Sequence, residues 1–217
     1  MERETVGQRC PDVLQRVPSE VTVVAATKGR TPDEIGAALR AGIVHLGENY
    51  VQEAERKKPL LPRHVTWHLI GRLQANKAGK ASRTFDWVQT VDSIELARKL
   101  NSAVPDAVEP LPMLLQVNIG REPQKAGVLP EEVPSLATVI QALPHLRLRG
   151  LMSLPPEPER PEDSRPHFRA LRRLFDALRA EGLALDTLSM GMSADWEVAV
   201  EEGATMIRLG TALFGPR

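Results

Sequence analysis

One cysteine in 217 residues, Cys10, excludes an intrachain disulfide and any thiolate metal cluster. The five histidines give no H-x-x-x-H pair with a carboxylate beside it, so no metal site is expected. No stretch approaches the roughly 18 consecutive apolar residues of a membrane span, and residues 1–4 lead into no apolar signal core; the expected compartment is the cytoplasm. Charge of one sign is also missing. Twenty-eight basic residues cancel 28 acidic ones, which argues against nucleic acid or an anionic membrane as partner.

What is present is a repeated alternation. Apolar, β-rich runs recur at 21–27, 43–46, 65–70, 86–91, 112–118, 146–151, 185–190 and 205–209, and segments with helical periodicity lie between them. The clearest is 164–181, where Phe168, Leu171, Leu174, Phe175 and Leu178 form one stripe. Others are 33–41, 93–101, 131–142 and 194–202. Eight strands with intervening helices predict an α/β fold, a single (β/α)8 TIM barrel over 21–217 behind a short N-terminal extension, 1–20. A doubly wound open sheet is disfavoured because no G-x-G-x-x-G follows the first run. The segment 154–161 holds four prolines and reads as a long loop after strand six, either exposed and variable or a lid.

Lys28 ends the first run, and Thr31-Pro32-Asp33-Glu34 after it is a capping box that starts a helix. Side chains at the C-terminal ends of barrel strands face the reaction site, so this amine is placed to form a Schiff base; taken alone, a lysine just past a strand is more often a solvated loop residue. Asn49 follows strand two on the same rim, where it either caps its helix or bonds a ligand ring. Gly210 and Thr211 open a short helix after strand eight and offer backbone N–H groups and a hydroxyl to a phosphate. Ser193 stands where it caps the helix that follows it, 194–202, or adds a donor to the same cup. Arg208 lies in an otherwise apolar strand, which requires a partner for its charge unless the strand end is solvated. His68 and Trp67, with Gly71 and Gln74 to Lys77 after them, are weaker rim candidates. An amine, an anion cup and a cation on one rim suit an aldehyde phosphate, and pyridoxal 5′-phosphate (PLP) is the candidate.

Thr27-Lys28, LGENYVQE (46–53), WHLIGRLQANK (67–77), LLQVNI (114–119) with Lys125-Ala126-Gly127, LRGLMSL (148–154), LSMGMSADWEVAVEEG (188–203) and MIRLGTALFG (206–215) together resemble the pyridoxal phosphate homeostasis protein family. The resemblance implies a barrel like the N-terminal domain of alanine racemase, with the cofactor on Lys28, Asn49 beside its ring, Ser193, Gly210 and Thr211 at its phosphate, and Arg208 at its pyridine nitrogen. It further implies a role in keeping intracellular PLP in balance, with PLP-dependent apoenzymes as candidate recipients and no catalytic residues. Two departures stand out. Pro11 and Pro18 leave little room for the longer first helix of relatives, and Gly29-Arg30 is an unusual sequel to the lysine.

An arginine at the pyridine nitrogen disfavours its protonation and blunts the ring as an electron sink. The sequence stops at Arg217, just past the last barrel element, so no second domain enclosing a substrate is expected. Both points favour a carrier over a PLP-dependent racemase or lyase. A Schiff-base aldolase without PLP and a docking module using the basic helix at 169–179 are the remaining rivals. With no apolar stripe on the exterior, a monomer is expected.

Overall fold

The computed structural model describes residues 5–216; the leader reading at 1–4, and Arg217, lie outside the described residues. The apolar runs become β1 (Thr22–Ala26), β2 (His45–Glu48), β3 (Thr66–Leu69), β4 (Trp87–Val91), β5 (Leu111–Val117), β6 (Leu146–Ser153), β7 (Thr187–Ser189) and β8 (Met206–Leu209). All pair in parallel, each with its neighbour in sequence, and β1 closes the barrel on β8 with Val24 opposite Arg208. Helices α2 (Pro32–Arg40), α3 (Val51–Lys57), α4 (Ala78–Thr84), α5 (Ile94–Ala103), α6 (Val133–Gln141), α7 (Arg165–Ala180), α8 (Trp196–Glu201) and α9 (Thr211–Phe214) follow the strands in turn.

Period-two alternation sorts the strand residues into two environments. Ala25, Leu46, Trp67, Val88, Leu151 and Ile207 face outward and form one apolar core with the helices, to which α7 gives Phe168, Leu171, Phe175 and Leu178. The inward face carries polar side chains, described below. The capping box forms as the sequence predicts: Glu34 N–H donates to Thr31 Oγ1 at 3.2 Å and Thr31 N–H to Glu34 Oε2 at 2.8 Å.

The N-terminal segment departs from expectation. A helix, α1 (Val6–Arg16), runs straight through Pro11. An internal proline costs about 3 kcal/mol of helix stability, but burying Cys10 and Val13 and packing against α2 and α9 offsets it. Segment 154–161 has no helix or strand until a 3-10 turn starts at Pro161. Its first residues are not free surface, because Pro155 is buried and its carbonyl accepts from Lys125 Nζ at 2.8 Å.

Candidate functional site

Closure of the barrel puts β7, β8, β1 and β2 side by side, so residues from the two ends of the chain share one rim. Lys28 follows β1 and is half-buried, with Nζ 5.4 Å from the centre of the Tyr50 ring. The turn behind it needs Gly29, whose φ of +69° strains any residue with a Cβ. Arg30, the unusual sequel, ties this turn to the other end of the chain by donating to Gly215 O at 2.5 Å and lying over the Phe214 ring.

Strand β2 extends two residues beyond its sequence estimate, through Gly47 and Glu48. Asn49 therefore sits directly at the strand end, and it does not cap α3, whose cap position is Tyr50. Its backbone nests against Gly71, where a Cβ would lie 2.3 Å from Asn49 O. That close approach explains the glycine in the loop after β3.

Ser193 is not the cap of α8 either; Asp195 holds that position. Instead Ser193 Oγ reaches across to the loop after β8 and accepts from Gly210 N–H at 3.0 Å and Ala212 N–H at 3.1 Å. Two backbone donors at the start of α9 are thereby gathered around one hydroxyl. Ser193, Thr211 and Ala212 line a cleft of about 460 Å³ whose far wall is α1 with Arg9, Asp12 and Arg16. The helix absent from the sequence reading thus brings two arginines to this cleft, of which Arg16 pairs with Glu197.

Arg208 is 4 % exposed, which overturns the solvated-strand-end alternative. It donates to Ser189 Oγ at 2.5 Å and Ser153 O at 2.8 Å, and no carboxylate lies within ion-pair distance of it among the described residues. Burial pushes its guanidinium down to about 10, with Asp195 opposing from farther off. From Ser189 the chain of bonds continues inward: Ser189 Oγ donates to Gln89 Oε1 at 2.7 Å, and Gln89 Nε2 meets His68 Nδ1 at 3.0 Å. This places the His68 proton on Nε2, which faces His45 Nδ1 at 3.0 Å. His68 is thus a core residue, its imidazole pushed down to about 3 by burial and by His45. Trp67 points the other way, into the outer core.

The sequence reading missed one cluster. Lys57, Glu48 and Glu53 are all largely buried around Thr27. Glu53 to Lys57 is an i,i+4 pair of the kind that decorates exposed helix faces, so spacing alone gave it no special weight.

A protein-family model for the alanine racemase N-terminal domain matches residues 12–217. The pyridoxal phosphate homeostasis protein of Vibrio alginolyticus is 42 % identical over 207 residues, covering 93 % of this chain and 89 % of its own. This chain belongs to the pyridoxal phosphate homeostasis protein family. Among solved structures, PipY of Synechococcus elongatus PCC7942 without PLP superposes with a TM-score of 0.92 at 37 % identity, over 97 % of this chain and 100 % of that one. PipY with PLP bound gives 0.89 at 36 %, with the same coverage. The alanine racemase of Clostridium difficile 630, 14 % identical with a TM-score of 0.85, shares the fold; this chain covers 57 % of it. In this member of the homeostasis family the barrel interior is polar from Arg208 to His45, and the amine-bearing turn rests on the buried Lys57 cluster.

Proposed function

We propose that this chain is a non-catalytic carrier of PLP, which it holds on Lys28. The residues present fit that group. Gly210 and Ala212 N–H converge on Ser193 Oγ beside Thr211, so a phosphate there would meet the Ser193 hydroxyl hydrogen or take over its two amide donors. Arg208, a buried cation without a carboxylate, and Ser153 Oγ, buried without a hydrogen-bond partner, lie together at the floor, as a polar ring requires. The convergence of amine, amide donors and buried guanidinium on the β7–β8–β1–β2 sector carries the reading.

When bound, PLP supplies an aldehyde that condenses reversibly with a neutral amine: nitrogen forms a double bond to the aldehyde carbon, and the oxygen leaves as water with the two amine protons. Lys28 supplies the amine, Ser193, Gly210 and Thr211 hold the phosphate, Asn49 flanks the ring, and Arg208 faces its nitrogen. The PLP-bound structure of PipY, at 36 % identity across the full barrel, supports the assignment. A guanidinium at the ring nitrogen leaves that nitrogen unprotonated, which suits storage and release better than carbanion chemistry. We place the working protein in the cytoplasm as a monomer whose functional barrel, 21–217 with α1 packed against it, hands its ligand to PLP-dependent apoenzymes. No helix among the described residues is long and apolar enough to cross a membrane.

The test is to load the protein with PLP, remove the excess, and mix it with a PLP-dependent apoenzyme. Recovery of that enzyme's activity, with no conversion of single-enantiomer amino acids by the loaded carrier alone, is the expected result. Turnover of an amino acid by the carrier would overturn the non-catalytic reading.

A further inference from the structure

The two peptide groups that flank Lys28 are both held by helix α3. On one side, Lys57 Nζ donates to Thr27 O at 2.6 Å. On the other, Gly29 N–H donates to Glu53 Oε1 at 2.6 Å. The two holding groups are themselves joined, because Lys57 Nζ also donates to Glu53 Oε1 at 2.8 Å. A third acceptor, Glu48 Oε1, takes Lys57 Nζ at 2.7 Å and Thr27 Oγ1 at 2.6 Å. All three protons of one ammonium are therefore spent inside the cluster, and none is left over for a ligand.

We propose that Lys57 and Glu53 are positioning residues for Lys28, forming a buried clamp that fixes the amine-bearing turn against the β2–α3 unit. This rests on the assignment of Lys28 given above. The clamp joins the amine to the segment that carries Asn49 and Tyr50, since both follow β2 directly and open α3, the helix that supplies Glu53 and Lys57. Amine and ring neighbours are thereby set in one frame, and that alignment governs how often the amine meets an aldehyde in a reactive geometry.

Packing alone does not account for the arrangement. Glu48 is fully buried, with Oε2 lacking any hydrogen-bond partner, and burial outweighs Lys57 and Thr27 in raising its carboxyl above the ordinary range. A charged group in that state is costly, and an apolar trio would fill the space at lower cost. The two peptides beside Lys28 are what the charged cluster holds; an apolar trio would release Gly29 N–H to solvent and leave the buried Thr27 carbonyl without the Lys57 donor.

Glu53→Ala and Glu53→Gln test this, because Glu53 is the member nearest solvent and its loss leaves the Lys57–Glu48 pair in place. Three readouts are compared with wild type: amide hydrogen exchange at Gly29 in the ligand-free protein, the rate at which the absorbance of the carbon–nitrogen link appears after mixing with PLP, and calorimetric affinity for pyridoxine 5′-phosphate, which has no aldehyde. Glu53→Ala should accelerate Gly29 exchange and slow the link about tenfold or more, with pyridoxine 5′-phosphate affinity unchanged. Glu53→Gln, which keeps an acceptor for Gly29, should restore much of the rate. Unaltered Gly29 exchange, a wild-type rate in Glu53→Ala, or a parallel fall in pyridoxine 5′-phosphate affinity would overturn the clamp. Borohydride trapping of wild type separates the two claims: an adduct away from Lys28 sinks the underlying assignment, whereas an adduct on Lys28 with unaltered Glu53→Ala kinetics sinks only the clamp.

Discussion

Ser193 Oγ accepts the backbone N–H of Gly210 at 3.0 Å, joining the loops after β7 and β8. With Ala212 N–H as its second donor, both lone pairs of the hydroxyl are engaged, and its own hydrogen is left to turn toward an anion. Ser193→Ala should then weaken PLP retention by about 5- to 30-fold, the equivalent of roughly 1–2 kcal/mol. Equilibrium dialysis measures it. Tighter retention would mean that Ser193 competes with the phosphate for those amides.

Thr211 lies at the mouth of the same cleft, opposite α1. Thr211→Val should weaken retention without preventing the absorbance of the bound cofactor from forming. Unchanged affinity would remove Thr211 from the phosphate cup.

Lys57 neutralises Glu48 inside the fold. Replacing Lys57 by Met leaves a buried carboxylate without its counter-ion and should cost roughly 3–5 kcal/mol in urea unfolding. The double variant Lys57→Met with Glu48→Leu should recover much of that loss. If the double variant is as unstable as the sum of the singles, the two residues are not coupled.

His68 is neutral in the fold, its imidazole held down to about 3, while in the unfolded chain it titrates at its ordinary value near 6.5. Between those values the unfolded state binds the extra proton, so stability rises with pH and is lost progressively as pH falls from 6.5 toward 3. The slope is up to roughly 1.4 kcal/mol per pH unit. His68→Gln should reduce the slope between pH 6.5 and 5, above the range where most carboxylates titrate, leaving the share of His45, which burial also holds below its ordinary value. An identical slope in wild type and variant would show that His68 is not the group responsible.

The barrel was legible because each strand carries its own apolar run, and the rim candidates because each stands at the end of such a run. Lys28, Asn49, Gly210 and Thr211 could be placed on one rim from local pattern plus closure of the barrel. Ser193 stood on the right loop with two readings open, helix cap or donor to the cup after strand eight, and local pattern could not choose between them because its partners lie in the loop and helix after β8, 17 and 19 residues on. Helix α1 was hidden by Pro11, since the tertiary contacts that offset a helix-breaking residue have no local signature. The Lys57 cluster was hidden for the opposite reason. Its Glu53–Lys57 spacing matches an ordinary surface ion pair, and only the extension of β2 to Glu48 reveals that it is buried.

The central claim is that the side chain ending the first strand carries the cofactor. Borohydride reduction of the PLP-loaded protein, followed by peptide mapping, tests it most directly. The account predicts a reduced adduct on Lys28, and loss of both adduct and absorbance band in a well-folded Lys28→Ala variant. An adduct on another lysine with Lys28 unmodified, or an undiminished band in Lys28→Ala, would contradict it.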